Sequence, residues 1–112
     1  MEREYEYHED LDILYVFNNP NNEVPKYNLV KGNIVIDFGE NGGVLGVEID
    51  CPSKFFNLSG EQLLDLKGAK VEVMKSGEML SVGVFLFSES KEHRFQFEMP
   101  SEDSTQRIVV GN

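Results

Sequence analysis

The chain has 112 residues, of which 20 are acidic and 10 basic, so its formal net charge is −10. This length suits one domain whose core needs neither metal nor disulfide, and a lone cysteine excludes an internal disulfide and any multi-cysteine metal site. The acidity argues against direct nucleic-acid binding, because phosphates are bound by Lys and Arg. No apolar run approaches the ~20 residues of a membrane span, and the acidic start does not resemble a signal peptide, so we expect a cytoplasmic protein without membrane contact.

Residues 4–17 are predicted to form two short strands joined by a polar turn. Charged and aromatic residues alternate up to Tyr7, and the second segment has apolar residues on both faces, which is typical of a central or doubly covered strand. Residues 18–23 are rich in Asn and indicate a loop. A weaker strand over 24–30 contains Pro25, which places it at a sheet edge.

Residues 33–50 predict a β-hairpin with an Asn-Gly turn at 41–42. A type I′ turn there needs positive φ at both central residues. It brings three apolar pairs together on one face: Phe38–Leu45, Ile36–Val47 and Ile34–Ile49. Asp37 and Glu48 then lie diagonally on the other face, and Gly46 lies opposite Asp37, where a missing side chain would let another backbone approach.

A short helix is predicted after the hairpin. Ser59 and Gln62 have the spacing of a capping box, in which each side chain bonds the other residue's backbone. The leucines of 63–66 form a narrow apolar stripe, and Gly68 is positioned to end the helix.

Residues 69–100 predict a three-stranded β-meander with two-residue turns at 76–77 and 89–90. These turns place apolar residues opposite each other on one continuous face. The pairs are Val73–Leu80, Val71–Val82 and Ala69–Val84 across the first turn, and Val84–Phe95, Val82–Phe97 and Leu80–Met99 across the second. Phe85 and Phe87 point to the opposite face, which then packs within the fold or meets a partner.

Together these elements predict an α+β fold that is predominantly antiparallel β. We expect a single domain over residues 1–112 that consists of an N-terminal meander (4–50), a linker with one short helix (51–68), a C-terminal meander (69–100) and a loose tail (101–112). The two β-sheets would pack face to face or around the helix.

A family resemblance rests on three segments of the first half. Residues 7–16 read Tyr-His-Glu-Asp-Leu-Asp-Ile-Leu-Tyr-Val, residues 36–37 read Ile-Asp, and residues 44–49 read Val-Leu-Gly-Val-Glu-Ile, followed by Ser53. This pattern resembles the domain-of-unknown-function family numbered 2283, although His-Glu at 8–9 and Cys-Pro after the last strand replace the family's Asp-Pro and Asp-Ala. The resemblance implies a small, mostly prokaryotic protein with no assigned activity. An association of such genes with toxin-like neighbours suggests an antitoxin-like binding role.

Eight residues define the candidate functional surface. They are the motif acids Asp12, Asp37 and Glu48, together with Tyr15, Gly42, Gly46, Phe85 and Phe87. We predict no catalytic, metal or cofactor site, because a carboxylate pair needs a third group and a pocket, and the acidic turn at 8–12 needs distant ligands. His93, which has the chemistry to join that turn, is predicted in the other half. Cys51 has no base beside it, and we expect a buried, inert thiol.

Three functions remain open at this point. The first is a non-enzymatic interaction module, which forms a homodimer through the face of Phe85 and Phe87 or binds a basic protein partner. The second is a small metal-dependent or hydrolytic enzyme that uses Asp37, Glu48 and His8. The third is a binder of a small ligand between the β-layers. We favour the first because it requires neither a catalytic arrangement of residues nor a ligand pocket.

Overall fold

The structure, a computed structural model, describes residues 4–89 and 91–100. In that part, eight strands and two five-residue helices follow one another. They are β1 (Tyr5–His8), β2 (Ile13–Phe17), β3 (Tyr27–Lys31), β4 (Ile34–Phe38), β5 (Val44–Asp50), α1 (Pro52–Phe56), α2 (Gly60–Leu64), β6 (Gly68–Ser76), β7 (Met79–Phe87) and β8 (Glu92–Pro100). All paired strands are antiparallel, which confirms the predicted fold class. The tail predicted over 101–112 lies outside the described residues.

The first sheet has five strands in the order β1-β2-β5-β4-β3. It is therefore not the simple meander that the sequence predicts, because β2 pairs with β5 and not with β3. Strands β2 to β5 form a Greek key, in which three hairpin-connected strands fold back onto an earlier one. The pairing puts Leu14 opposite Ile49 and Val16 opposite Val47, so it joins buried apolar residues. Strand β3 lies at the edge, as Pro25 just before it predicts.

The hairpin of β4 and β5 contains a β-bulge that the sequence analysis missed. Phe38 lies opposite Val44 and not opposite Leu45, because the register shifts between Asp37 and Phe38. The shift lets both Val44 and Leu45 be buried, at 5% and 4% exposure, although they are neighbours in the chain. In this turn Gly42 alone has positive φ, so the predicted type I′ turn is wrong. The other two predicted pairs, Ile36–Val47 and Ile34–Ile49, are confirmed.

The second sheet has the order β6-β7-β8, as a meander requires. The three predicted pairs between β7 and β8 are confirmed. Those between β6 and β7 are wrong by two residues, because the turn consists of Gly77 and Glu78, with Ser76 opposite Met79. Gly77 has φ +62°, which explains why the chain turns there. A slip of two residues keeps every side chain on its predicted face.

Two short helices connect the sheets. Helix α2 has the predicted capping box, with Gln62 N donating to Ser59 Oγ and Ser59 N donating to Gln62 Oε1. It ends at Leu64, before the predicted Gly68, which is the first residue of β6. Helix α1 was not predicted; it begins after Cys51 with a proline in its first turn.

The inner faces of the two sheets form one apolar cluster. Its buried members are Leu14, Val16, Ile34, Ile36, Phe38, Val44, Val47 and Ile49 from the first sheet, Leu58, Leu63 and Leu66 from the connection, and Ala69, Val71, Leu80, Val82, Val84, Leu86, Phe97 and Met99 from the second. Each sheet therefore has a second, outer face that points away from this core. Neither helix of the described chain has the length or apolar character needed to cross a membrane.

Candidate functional site

At the centre of the first sheet's outer face, a side-chain hydrogen bond crosses from one strand over its neighbour to a third strand. The Tyr15 hydroxyl on β2 donates to Asp37 Oδ2 on β4 at 2.7 Å, and β5 lies between these strands. The ring can cross β5 because Gly46 has no side chain: a Cβ there would lie 2.5 Å from Tyr15 Cζ. Gly46 lies opposite Asp37, as predicted. A tyrosine ring fills the space above it, where we expected a backbone.

Glu48 lies beside this bond on the same face, between Tyr15 and Val35 in the register. No hydrogen bond or ion pair joins its carboxylate to another residue of the described chain. Partial burial raises its pKa, and the nearby charges of Asp50 and Asp37 raise it further. Burial also raises the pKa of Tyr15, with added effects from its bond to Asp37 and from the charges of Asp37 and Glu48, so the phenol remains a proton donor. Glu48 thus lies among like charges, and none of the described residues forms an ion pair with its carboxylate.

We call this surface the acidic face and define it by six residues: Glu6, Tyr15, Phe17, Asp37, Glu48 and Asp50. Strands β1, β2, β4 and β5, which form it, contain no Lys or Arg. The imidazole of His8 lies 3.3 Å from the Glu6 carboxylate at its edge. The rings of Tyr15 and Phe17 contact each other with centroids 4.7 Å apart. The acidic face therefore combines carboxylates with an aromatic pair.

Asp12 belongs to a different contact, at the turn between β1 and β2. Its carboxylate accepts hydrogen bonds from Tyr7 Oη at 2.8 Å and from Ser53 Oγ at 2.7 Å. Burial would raise the pKa of Asp12, but these two bonds, together with a backbone hydrogen bond from Ser53 and the charge of Lys54, lower it. Burial and the same bond raise the pKa of Tyr7 to about 12. Because Cys51 N also donates to Asp12 O, this motif acid fastens the turn to the start of α1.

Phe85 and Phe87 lie on the outer face of the second sheet, on the opposite side of the molecule from the acidic face. Both are half-buried. The Phe85 ring leans over Gly83 and lies between two cations, with Lys70 Nζ at 5.4 Å and Arg94 Cζ at 5.9 Å from its centroid. A groove of about 320 Å³ on this face is lined by Glu72, Val73, Met74, Ser81, Gly83, Phe85, Arg94 and Gln96. Charged side chains thus interrupt the apolar face that we expected to drive dimerisation.

The remaining candidates do not come together. Across residues 4–89 and 91–100, no group of three or more His, Cys, Asp or Glu side chains is arranged to hold a metal ion. His93 lies on β8 of the second sheet, as predicted. Gly42 serves the turn after β4, with φ +84°. Cys51 is exposed and not buried; it occupies the N-cap position of α1 with a left-handed backbone and makes no capping hydrogen bond with its side chain.

The comparisons with known proteins concern the first sheet. Residues 4–50 match the model of a family described as "Protein of unknown function (DUF2283)". This match confirms the resemblance seen in the sequence. The matched segment runs from just before β1 to the last residue of β5, so it contains the entire first sheet and its acidic face. A search of curated proteins and a search of solved structures gave no match.

Proposed function

We propose that this protein is a non-enzymatic interaction module that binds a basic protein partner through the acidic face. The observation that carries the proposal is the carboxylate of Glu48. It occupies the middle of the sheet, without an ion pair or hydrogen bond to any other residue that the structure describes. Burial and the charges of Asp50 and Asp37 raise its pKa, and a cationic side chain from a partner would offset both effects.

The chemistry of the acidic face fits a Lys or Arg side chain. Carboxylates form charge-assisted bonds with both cations, and the adjacent Tyr15 and Phe17 rings offer cation–π contact worth roughly 0.5–1 kcal/mol at exposed sites. The net charge of −10 would steer such a partner from a distance, which raises the association rate more than the affinity. An antitoxin that neutralises a basic toxin is one protein of this class.

The two alternative functions receive less support. A hydrolytic or metal-dependent enzyme would need Asp37 available, but Asp37 accepts the hydrogen bond of Tyr15. A ligand between the β-layers would need space, but apolar residues from both sheets pack there as one cluster. The interaction module needs only a surface, and the acidic face supplies one.

The test is capture of partners from the cells of origin by the immobilised full chain, with proteins identified by mass spectrometry over a salt series. We expect a basic protein to be held at low salt and released near 1 M salt, where the Debye length falls to about 3 Å. The variant Glu48→Gln/Asp50→Asn removes two charges from the acidic face. Its matched control, Glu61→Gln/Glu78→Gln, removes two charges from α2 and from the β6–β7 turn.

With the purified partner, the first variant is expected to bind about tenfold more weakly. Each charge–charge contact at such a surface contributes roughly 0.2–1 kcal/mol, and 1.4 kcal/mol is a factor of ten in affinity. The control variant is expected to bind like the wild type. If both variants bind equally weakly, net charge and not the acidic face determines binding, and the proposal is wrong. Binding that does not depend on salt would also contradict the proposal.

A further inference from the structure

Strand β6 has an open edge. Its nine residues pair with β7 on one side, and no other strand in the described chain lies on the second side. The backbone N–H of Ala69 shows which groups face this edge, because it donates to Glu4 Oε1 at 2.9 Å. Alternate residues of an antiparallel strand direct N–H and C=O to the same side. Val71 and Val73 therefore also direct their N–H and C=O groups to the open edge.

Of the devices that protect edge strands, the second half of this edge has charged side chains but no proline and no bulge. Strand β6 contains Glu72 and Lys75 there, and it shows no register shift against β7. Glu4 covers only the start of the strand, at Ala69. Further along, Val73 is 41% exposed and Met74 is 70% exposed, on opposite faces. Open backbone groups and exposed apolar side chains thus coincide.

Antiparallel pairing of two β6 strands about a two-fold axis allows few registers. Centring the pair on Val71 would place Ala69 opposite Val73 of the second copy, where Glu4 already occupies the N–H of Ala69. Centring it on Glu72 would place two carboxylates directly opposite each other, which is destabilising. Both registers are therefore disfavoured.

Centring the pair on Val73 avoids both conflicts. Val73 of each copy then lies opposite its equivalent and exchanges two backbone hydrogen bonds with it. Glu72 lies opposite Met74 of the second copy, and Val71 lies opposite Lys75, so no like charges lie directly opposite each other. This register also covers the exposed side chain of Val73.

We propose that the edge of β6 is a dimerisation surface, at which two copies of this chain pair β6 with β6 around Val73. Their three-stranded sheets then become one six-stranded sheet. The segment 68–87 contains two Lys and two Glu and therefore has no net charge, although the whole chain carries −10. Charge repulsion between the two segments thus does not oppose this contact. The long-range repulsion between two chains of −10 is screened by salt. Salt therefore strengthens the dimer, whereas it weakens the binding of a basic partner.

The first test is sedimentation equilibrium of the full chain from about 1 to 200 µM, a range that resolves micromolar dissociation constants. We expect a monomer–dimer equilibrium that shifts towards dimer as salt rises. Val73→Lys is expected to weaken the dimer by at least about tenfold, because this register would place the two lysines directly opposite each other. The matched control is Val30→Lys, on the edge strand β3 of the other sheet, where Val30 is 65% exposed. Circular dichroism checks that both variants fold.

The second test captures the register covalently. In a Cys51→Ser background, Val73→Cys would place two thiols in a hydrogen-bonded pair with Cα atoms about 5.5 Å apart, within the range of a disulfide. Oxidised glutathione is expected to link this variant as a dimer and to leave Val30→Cys in the same background largely monomeric. A wild-type chain that stays monomeric at all concentrations and salts would overturn the proposal. Equal effects of the two lysine variants, or equal cross-linking of the two cysteine variants, would also overturn it.

Discussion

Replacing Gly46 with alanine is expected to destabilise the protein by about 2 kcal/mol, through a single contact on the acidic face. The added Cβ would lie 2.5 Å from Cζ and 2.6 Å from Cε1 of Tyr15, so the ring must move away. It then loses its hydrogen bond to Asp37, which joins strands that are not neighbours.

The magnitude follows from three contributions. A hydrogen bond to a charged group contributes ~1.5–3 kcal/mol, and the contact between the rings of Tyr15 and Phe17 contributes ~0.5–1.5 kcal/mol. Alanine in place of glycine inside a strand offsets ~0.5–1 kcal/mol of this loss. Since Tyr15 is partly exposed, water replaces some of the lost contacts, and the net cost is about 2 kcal/mol.

The assay is urea unfolding followed by circular dichroism, with a double-mutant cycle. In a Tyr15→Ala background the clash is gone, so Gly46→Ala should become neutral or stabilising by up to ~1 kcal/mol. Gly43→Ala is the matched control, because no atom lies within 4 Å of a Cβ there and its φ is not positive. If Gly46→Ala costs the same with and without the Tyr15 ring, the reasoning is refuted.

Three further predictions concern stability. The hydrogen bonds from Tyr7 and Ser53 lower the pKa of Asp12 in the folded protein. They therefore stabilise the fold at pH values above the pKa of an unfolded Asp, ~4. This stabilisation is lost as the pH falls through the lower pKa that Asp12 has in the folded protein. Asp12→Asn should therefore flatten the pH dependence of urea unfolding below pH ~4, and an unchanged slope would contradict the contact. Because the pKa of Glu48 is raised, its ionisation destabilises the fold as the pH rises above ~4.3. Glu48→Gln should therefore stabilise the protein at pH 7 but not at pH ~3, and the same urea unfolding series measures this difference. Ser59→Ala removes the cap of α2 and should cost about 1 kcal/mol in urea unfolding, with Ser59→Gly costing less; equal costs would argue against the cap.

The sequence was most informative where strands are close neighbours along the chain. The three pairs of β7 with β8 and the two inner pairs of β4 and β5 were predicted correctly, because only a few registers place all the apolar residues on one face. The first turn of the meander was misplaced by one residue, since a slip of two in register leaves the same faces apolar. The bulge at Phe38 was missed because adjacent Val44 and Leu45 are both buried, which strict alternation does not allow.

Contacts between distant segments could not be predicted. The pairing of β2 with β5 joins residues separated by more than 25 positions, and no local pattern encodes it. For the same reason, Tyr15 and Gly46 were identified as separate motif residues, but not as a ring that crosses a glycine. The hydrogen bonds of Asp12 with Tyr7 and Ser53 depend on where α1 begins, and that helix was itself missed.

The order of the two sheets along the chain bears on how the protein is made. The first sheet is complete at Asp50, but the strands that cover its apolar inner face begin only at Gly68. A ribosome adds about 5–20 residues per second, so this face stays uncovered for several seconds while the second sheet is synthesised. The carboxylates of the acidic face are already present during that interval. Repulsion between these carboxylates on neighbouring nascent chains opposes aggregation until the second sheet covers the core.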